Sequence, residues 1–413
     1  MKKKIILLLI IIILILLGFF FLYKKEKTIK QDNKPKVELS SNFDLNLLKL
    51  VNQEEKDNFL ISPYSIKMAL SLLKEGANGN SLNEINNTLK EPPASINNKN
   101  IKIANALFIR DIYQKYIEKD FISNLQKKYN SDILIDKFKT PDVINNWVNK
   151  NTDGMINKVL DNMTDDFVLG LANAIAIDVK WQDEFECVST TEEKFTNSNN
   201  KDIKAQMMHN SYSYEDIKYI KSDKAEGIIL PYIKESNLEF IGILPTKNIN
   251  DYIENNLESD LSNLDKLATS ANSKLQINLS IPRFNFDYSL NTFKDILIKM
   301  GIKDVFDSGK ADLTKIITKD NLIKSNSGNI YVDDAIHKTY IDFNESGTKA
   351  ATVTYFGVKN TALIRDDNET IDIKFNKPFI TIIREKDSNE ILFIGVVNNP
   401  NIWNGTTCQK QEI

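Results

Sequence analysis

FNESGTKAATVTYFGVKNTALIRDDNETIDIKFNKPF, running from Phe343 to Phe379, is the stretch on which the fold turns. Its Gly347–Thr354 portion, GTKAATVT, has small and β-branched side chains, no proline and a single charge, which is strand chemistry. The next stretch, from Gly357 to Thr370, is polar, mixed in charge and reads as a long exposed loop. A strand that runs into such a loop has no tight turn returning it to a neighbour. Its partner must be sought elsewhere in the chain.

The surrounding 413 residues could form one large domain or two to three ordinary ones. They are 42% hydrophobic and 26% charged, as in folded globular proteins, and rich in Lys, Asn and Ile in the manner of a coding bias. A net charge of −3 with no long basic block argues against a nucleic-acid partner. Two cysteines, Cys187 and Cys408, are too few for a disulfide framework. A bridge between them is open, but their separation in sequence favours two thiols.

At the start, MKKK precedes the apolar run Ile5–Tyr23, which as a helix would span about 28 Å, close to a bilayer's hydrocarbon core. Its exit, GFFFLYKK, lacks a small-residue cleavage site, so residues 1–23 read as an uncleaved signal anchor rather than a secretory leader. Lysines on both flanks leave the orientation open. With the span at the start and everything else after it, the body is expected outside the cell, on a single-pass anchor or else secreted. Residues 24–41 are a polar, lysine-rich tether.

From residue 42 to residue 400 no linker or repeat interrupts the chain, so one domain is expected. The N-terminal third has helical spacing in FDLNLLKLVNQ and SIKMALSLLKEGA, the latter opening after Ser62-Pro63, a capping residue followed by proline. IEKDFISNLQKKYN and PDVINNWVNKNTDGMI continue the pattern. After about Asp166 strand signals dominate, including FVLGLANAIAIDVKW, LEFIGILP, NIYVDDAIHKTYIDF and EILFIGVVNNP, with SLNTFKDILIKMG as one further helix. Ala335–Phe343 alternates only loosely, as in a strand covered on both faces. Helices first and strands mostly after is an α+β arrangement.

Catalytic motifs are missing from this pattern. The two histidines, His209 and His337, exclude a three-histidine metal site or an HExxH helix. There is no GxSxG elbow, phosphate loop or GxGxxG turn. His337, inside an apolar strand, reads as a hydrogen-bonded core residue, and His209 as a packing or surface residue. A hydrolase would need a nucleophile brought close to one of them in space. No metal or cofactor is expected, and the chain does not read as an enzyme.

Taken together the motifs resemble one family. NFLISPYSIKMALSLLKEGANG, IANALFI, INNWVNKNTDGMI, LANAIAIDVKWQDEF, ILPY, IPRFNF, MGIKDVF, AIHK, ESGTKAAT, FNKPF and ILFIGVVNNP are similar to serpin signatures, in serpin order, over roughly residues 42–400. The chain is identified as a member of the serpin family, exported or membrane-anchored and of prokaryotic type. The resemblance implies about three β-sheets, eight to nine helices and a reactive loop at about 345–374. A target protease attacks that loop, and the cut loop then inserts as a new central strand while the protease stays covalently trapped. The implied partner is a serine protease, elastase-like, or a cysteine protease, and the chain would be a monomer. The alternative is a serpin fold that binds a ligand without inhibiting.

The residues fit insertion on their own terms. With Thr348 facing inward, Ala350, Thr352 and Thr354 share its side of the strand, while Lys349 (where the family usually has glutamate) points outward. Glu345, Gly347 and Ala351 complete the hinge and inserting strand, and Gly347 supplies backbone freedom. No proline would block the ladder. By resemblance, Ser62, Ser65, Asn173 and His337 form the polar shutter beneath the sheet, and Trp181 marks the breach where insertion starts. The family's spacing places the reactive bond at Thr361-Ala362. The loop is about six residues longer than the family's pattern, so a shifted register could instead expose Leu363 or Arg365.

Overall fold

The computed structural model describes residues 43–212, 217–270, 275–348 and 369–402. The expected anchor and tether, the loop residues Ala350, Ala351, Thr352, Thr354, Thr361, Ala362, Leu363 and Arg365, and the tail with Cys408 lie outside them. Among the described residues no helix is long and apolar enough to cross a membrane.

The architecture is α+β. Helix Phe43–Glu54 buries Leu45, Leu47, Leu48 and Val51, and helix Pro63–Gly76 begins as the sequence dictates. Ser62 is extended (φ −111°), its hydroxyl accepts the Ser65 amide at 3.1 Å, and Pro63 takes the first helical position. Lys67, on this helix, is buried between Glu390 (2.7 Å) and Asp44 (3.1 Å), fastening it to the N-terminal helix and to the turn of a C-terminal hairpin.

Strands are numbered along the chain. The largest sheet has the order β1 (Phe59–Ile61), β18 (Ile391–Val397), β17 (Phe379–Glu385), β10 (Leu238–Pro245), β9 (Ala225–Pro231), β8 (Lys218–Lys221) and β11 (Ala268–Ser270). Every residue of β10 is buried, as its unbroken apolar run LEFIGILP requires. A second sheet has the order β16 (Glu369–Lys374), β12 (Leu275–Pro282), β7 (Asp202–Tyr212) and β6 (Thr191–Thr196).

The remaining strands depart from the expected three sheets. β3 (Asp132–Asp136), β2 (Ile101–Arg110) and β4 (Leu169–Ile177) form one small sheet. β13 (Phe284–Ser289), β14 (Lys338–Asn344), β15 (Gly347–Thr348) and β5 (Val179–Lys180) form another. β5 comes one residue after β4, so these are two halves of a single central sheet, joined at the top through β15 and parted below. Four sheets replace three because β4 and β14 do not pair.

Three further expectations need correction. The N-terminal third is not purely helical, since it carries β1, β2 and β3. The strand expected across NIYVDDAIHKTYIDF is regular only from Lys338; Ile330 is buried without belonging to a strand. From there burial alternates cleanly, with Thr339, Ile341 and Phe343 inside, so one face is covered rather than two. Finally, Cys187 is disulfide-bonded. The turn Cys187–Ser189 packs on β7, the same strand on which Ile402 bridges Ala205, so parts of the chain far apart in sequence meet there.

Candidate functional site

The parted central sheet leaves a groove of about 770 Å³ between β4 and β14. On one side β4 pairs with β2 along Leu169–Ile177; on the other, β14 pairs with β13, and with β15 at Phe343 and Asn344 alone. Among the described residues the facing edges of β4 and lower β14 have no strand partner. Helix Pro63–Gly76 lies behind, contributing Ser65, Ile66, Ala69 and Leu70 to the lining. Unpaired edges beside an apolar floor are a costly arrangement for a folded sheet, and the ligand shape that relieves it is one extended strand.

At the top of the groove the first two residues of such a strand are in place. Gly347 and Thr348 pair with β14 on one side and with Lys180 and Val179 of β5 on the other. Gly347 has φ +156°, and a Cβ there would sit 2.2 Å from the Val179 carbonyl oxygen, so backbone conformation and close approach both require glycine. Thr348 is buried and its hydroxyl lies 2.6 Å from the Tyr232 hydroxyl. The side chains after it lie outside the described residues.

Trp181 sits directly against the turn that leads into β15. Its backbone amide donates to the Ser346 carbonyl at 3.0 Å and its indole N–H to the Asn344 carbonyl at 2.9 Å. The ring stacks on Tyr232 at 4.4 Å and meets Phe343 edge-on at 5.1 Å. Glu345 is buried; it accepts from the Thr190 hydroxyl at 2.6 Å and lies 3.3 Å from the Arg283 Nε, an ion pair without hydrogen-bond alignment. Tyr232, Thr190 and Arg283 were not singled out by sequence reasoning. Tyr232 and Arg283 stand inside the noted motifs ILPY and IPRFNF, so the signal was there without the role.

Of the four residues expected in the shutter, the structure joins three by hydrogen bonds. His337 Nε2 accepts the Ser62 amide at 3.0 Å, and Ser62 caps Ser65. Asn173 is not bonded to them. It crosses to β2, donating to the Asn105 side chain at 2.9 Å, and its Oδ1 is buried with no partner. All four line the groove. An orphan acceptor buried in a groove is suited to a donor such as a strand amide.

Complete burial pushes the His337 imidazole down to about 4, so it is neutral and accepts through Nε2. In the unfolded chain the same group titrates near its ordinary 6.5. The native state therefore holds its full His337 contribution above pH 6.5 and loses it as pH falls towards 4, when the unfolded chain binds a proton that the folded one refuses. We expect this group alone to remove about 3 kcal/mol across that window. Urea unfolding at pH 7 and pH 4.5 should show His337→Gln, which keeps an acceptor, with a clearly shallower loss than the parent; equal losses would refute the assignment.

His209 tests the hydrolase reading. Ser280 Oγ is 2.9 Å from its Nδ1 and Glu193 Oε1 is 3.3 Å from its Nε2. The order resembles a nucleophile, base and carboxylate, yet Thr191 shares Nε2 and Lys374 occupies Glu193. Burial lowers the His209 pKa, with Lys374 adding to the effect and Glu193 opposing it. These residues lie on the polar face of one sheet and link β6, β7, β12 and β16, a cross-strand network that secures the strand on the far side of the loop.

Comparison with known proteins accords with this geometry. Residues 38–400 match the family described as Serpin (serine protease inhibitor). An uncharacterized serpin-like protein of Methanosarcina mazei is 29% identical over 374 residues, covering 85% of this chain and 83% of that protein. The human leukocyte elastase inhibitor is 29% identical over 391 residues, covering 86% of this chain and 96% of its own. Among solved structures, the thermophilic serpin tengpin in its native state superposes with a TM-score of 0.72 at 28% identity, covering 90% of this chain and 95% of that one. With the family match spanning nearly the whole body, and a parted sheet with β15 seated at its top, the chain belongs to the serpin family.

Proposed function

We propose that the chain is an inhibitory serpin, an irreversible suicide inhibitor of a serine or cysteine protease. One observation carries the reading: a groove flanked by two strand edges that have no strand partner among the described residues, with β15 at its mouth immediately before the loop in sequence. Cleavage within that loop would free the segment after Thr348 to enter as the strand between β4 and β14, carrying the acylated protease with it. Thr361-Ala362 is the proposed reactive bond, with Leu363 or Arg365 in a shifted register. Small residues there suit an elastase-like pocket, and relatives named as leukocyte elastase inhibitors point the same way. The hydrogen-bonded shutter at Ser62, Ser65 and His337, with Asn173 beside it, would exchange one set of polar contacts for another as the strand enters.

The body is proposed to act outside the cell on an anchor formed by residues 1–23. The disulfide at Cys187 is what an oxidising compartment would produce. A single experiment addresses both statements. The full chain, expressed in membranes and mixed with elastase-like and trypsin-like proteases, should yield a band that survives boiling in SDS and stays with membranes washed in alkaline carbonate. Cleavage without such a band would favour the non-inhibitory alternative, and a band found only in the wash would remove the anchor.

A further inference from the structure

Residues 152–168 connect helix Asp142–Asn151 to β4 and form a wall of the groove at the end away from β15. Their backbone is pinned from both sides. Asn145, buried on the helix, donates its Nδ2 to the Leu160 carbonyl at 2.8 Å and accepts the Val159 and Leu160 amides at 2.9 and 3.0 Å. At the far end Arg110 donates its Nη2 to the Thr164 carbonyl at 2.8 Å and its Nη1 to the Asp165 carbonyl. These bonds keep the segment's side chains at the groove. Met155, Leu160, Met163 and Phe167 are among those lining it.

The two methionines are the chemically reactive members of that wall. Of the other methionines among the described residues, Met207 and Met208 are fully enclosed and Met300 is buried. Met68 is partly exposed, but it packs against a different core cluster and does not line the groove. Met155 and Met163 are partly exposed, so a small oxidant reaches their sulfurs while the thioethers still offer the groove an apolar surface. The stretch Phe343–Phe379 contains neither methionine nor cysteine. A mild oxidant therefore leaves the loop unaltered, and any effect it has on the loop's fate must act through the body.

We propose that Met155 and Met163 are an oxidant-sensitive modification site whose co-reactant is a small hydroperoxide. Their sulfoxides hinder entry of the loop strand, so the oxidised chain is consumed as a substrate instead of trapping its protease. In the modifying step a thioether lone pair attacks a peroxide oxygen, and the S–O bond forms as the O–O bond breaks. Sulfur is oxidised, the peroxide is reduced, and the departing hydroxide or alkoxide takes a proton to leave as water or alcohol. The sulfoxide is polar where the thioether was apolar. It draws water to a wall that an entering strand has to dry, and stripping that water raises the cost of entry.

The effect on trapping rests on the inhibitory reading, whereas the site itself does not. The full chain should be treated with hydrogen peroxide at neutral pH and its methionines followed by peptide mass spectrometry. Met155 and Met163 should oxidise at least about tenfold faster than Met207 and Met208, because oxidation follows access. With the pair oxidised, the parent should form several-fold less SDS-stable complex, with a matching rise in cleaved chain. The double variant Met155→Leu, Met163→Leu keeps volume and apolarity, and should trap equally well before and after peroxide. Oxidation of the pair no faster than that of Met207 and Met208 overturns the site. Undiminished complex in the oxidised parent, or an equal loss in the double variant, overturns its effect on trapping. If the untreated chain traps no protease, the inhibitory reading falls and hydrogen exchange decides the site. The amides of Leu169 to Leu171 should then quicken on oxidation of the parent but not of the variant, and unchanged exchange would overturn it.

Discussion

Cutting the chain once between Thr361 and Ala362, with nothing else changed, is expected to raise the unfolding midpoint of the body by about 15 °C. Hydrolysis of a surface loop ordinarily leaves stability unchanged or lowers it, so the sign alone is diagnostic. The expectation comes from the two edges that have no strand partner among the described residues. A strand entering between Leu169–Ile177 of β4 and Lys338–Asn344 of β14 would complete both ladders. About a dozen new backbone bonds at roughly 1 kcal/mol each give on the order of 12 kcal/mol. For a body of this size the unfolding entropy converts that to roughly 1.3 °C per kcal/mol. Burial of small side chains over Ile66, Ala69 and Leu70 adds to it. Calorimetry of intact and nicked chain measures the difference directly. An unchanged midpoint would mean that the groove is not the loop's destination, and the inhibitory reading would fall with it.

How much of this could be read from the chain depends on whether the governing contact was local. Ser62-Pro63 announces its helix because a cap and a first-turn proline are properties of adjacent residues, and the structure has both. The inward phase at Thr348 is a consequence of strand alternation, and Thr348 is buried. The order of the motifs carried the family, which the match over residues 38–400 bears out. The parted sheet had no such signal. β4 is an apolar strand whether or not β14 stands beside it, so the parting of the two is a tertiary fact. The early start given to β14 has the same origin: Ile330 is apolar because it enters the core, which composition cannot separate from strand membership. Cys187 was misjudged because sequence separation was allowed to stand for distance. Glu345 was singled out but its partners were not, since Thr190 and Arg283 come from opposite ends of other strands and meet it only in three dimensions.

Thr348→Arg is expected to convert the chain from a trap into a substrate. Thr348 lies at the mouth of the groove, between Phe343 of β14 and Val179 of β5, with its hydroxyl on Tyr232. It must stay inward if the strand behind it is to keep its phase. A guanidinium at this position would replace a small hydroxyl against the Trp181–Tyr232 stack, and burying a charge there costs several kcal/mol. After acylation two events compete, entry of the loop and hydrolytic release of the protease. Raising the entry barrier by about 3 kcal/mol slows it by roughly two orders of magnitude, so nearly every encounter should end in a cleaved chain and free protease. Ser346→Arg is the matched control: two residues away on an exposed position, it adds the same charge where water can solvate it, and complex formation should persist. Thr348→Ala, which loses the hydroxyl but keeps the size small, should retain most of the complex. The yield of SDS-stable complex against cleaved chain, at equal protease, orders the three variants. Undiminished complex in Thr348→Arg would show that the strand does not enter in this phase, and the residues taken to face inward after it would then face the opposite side.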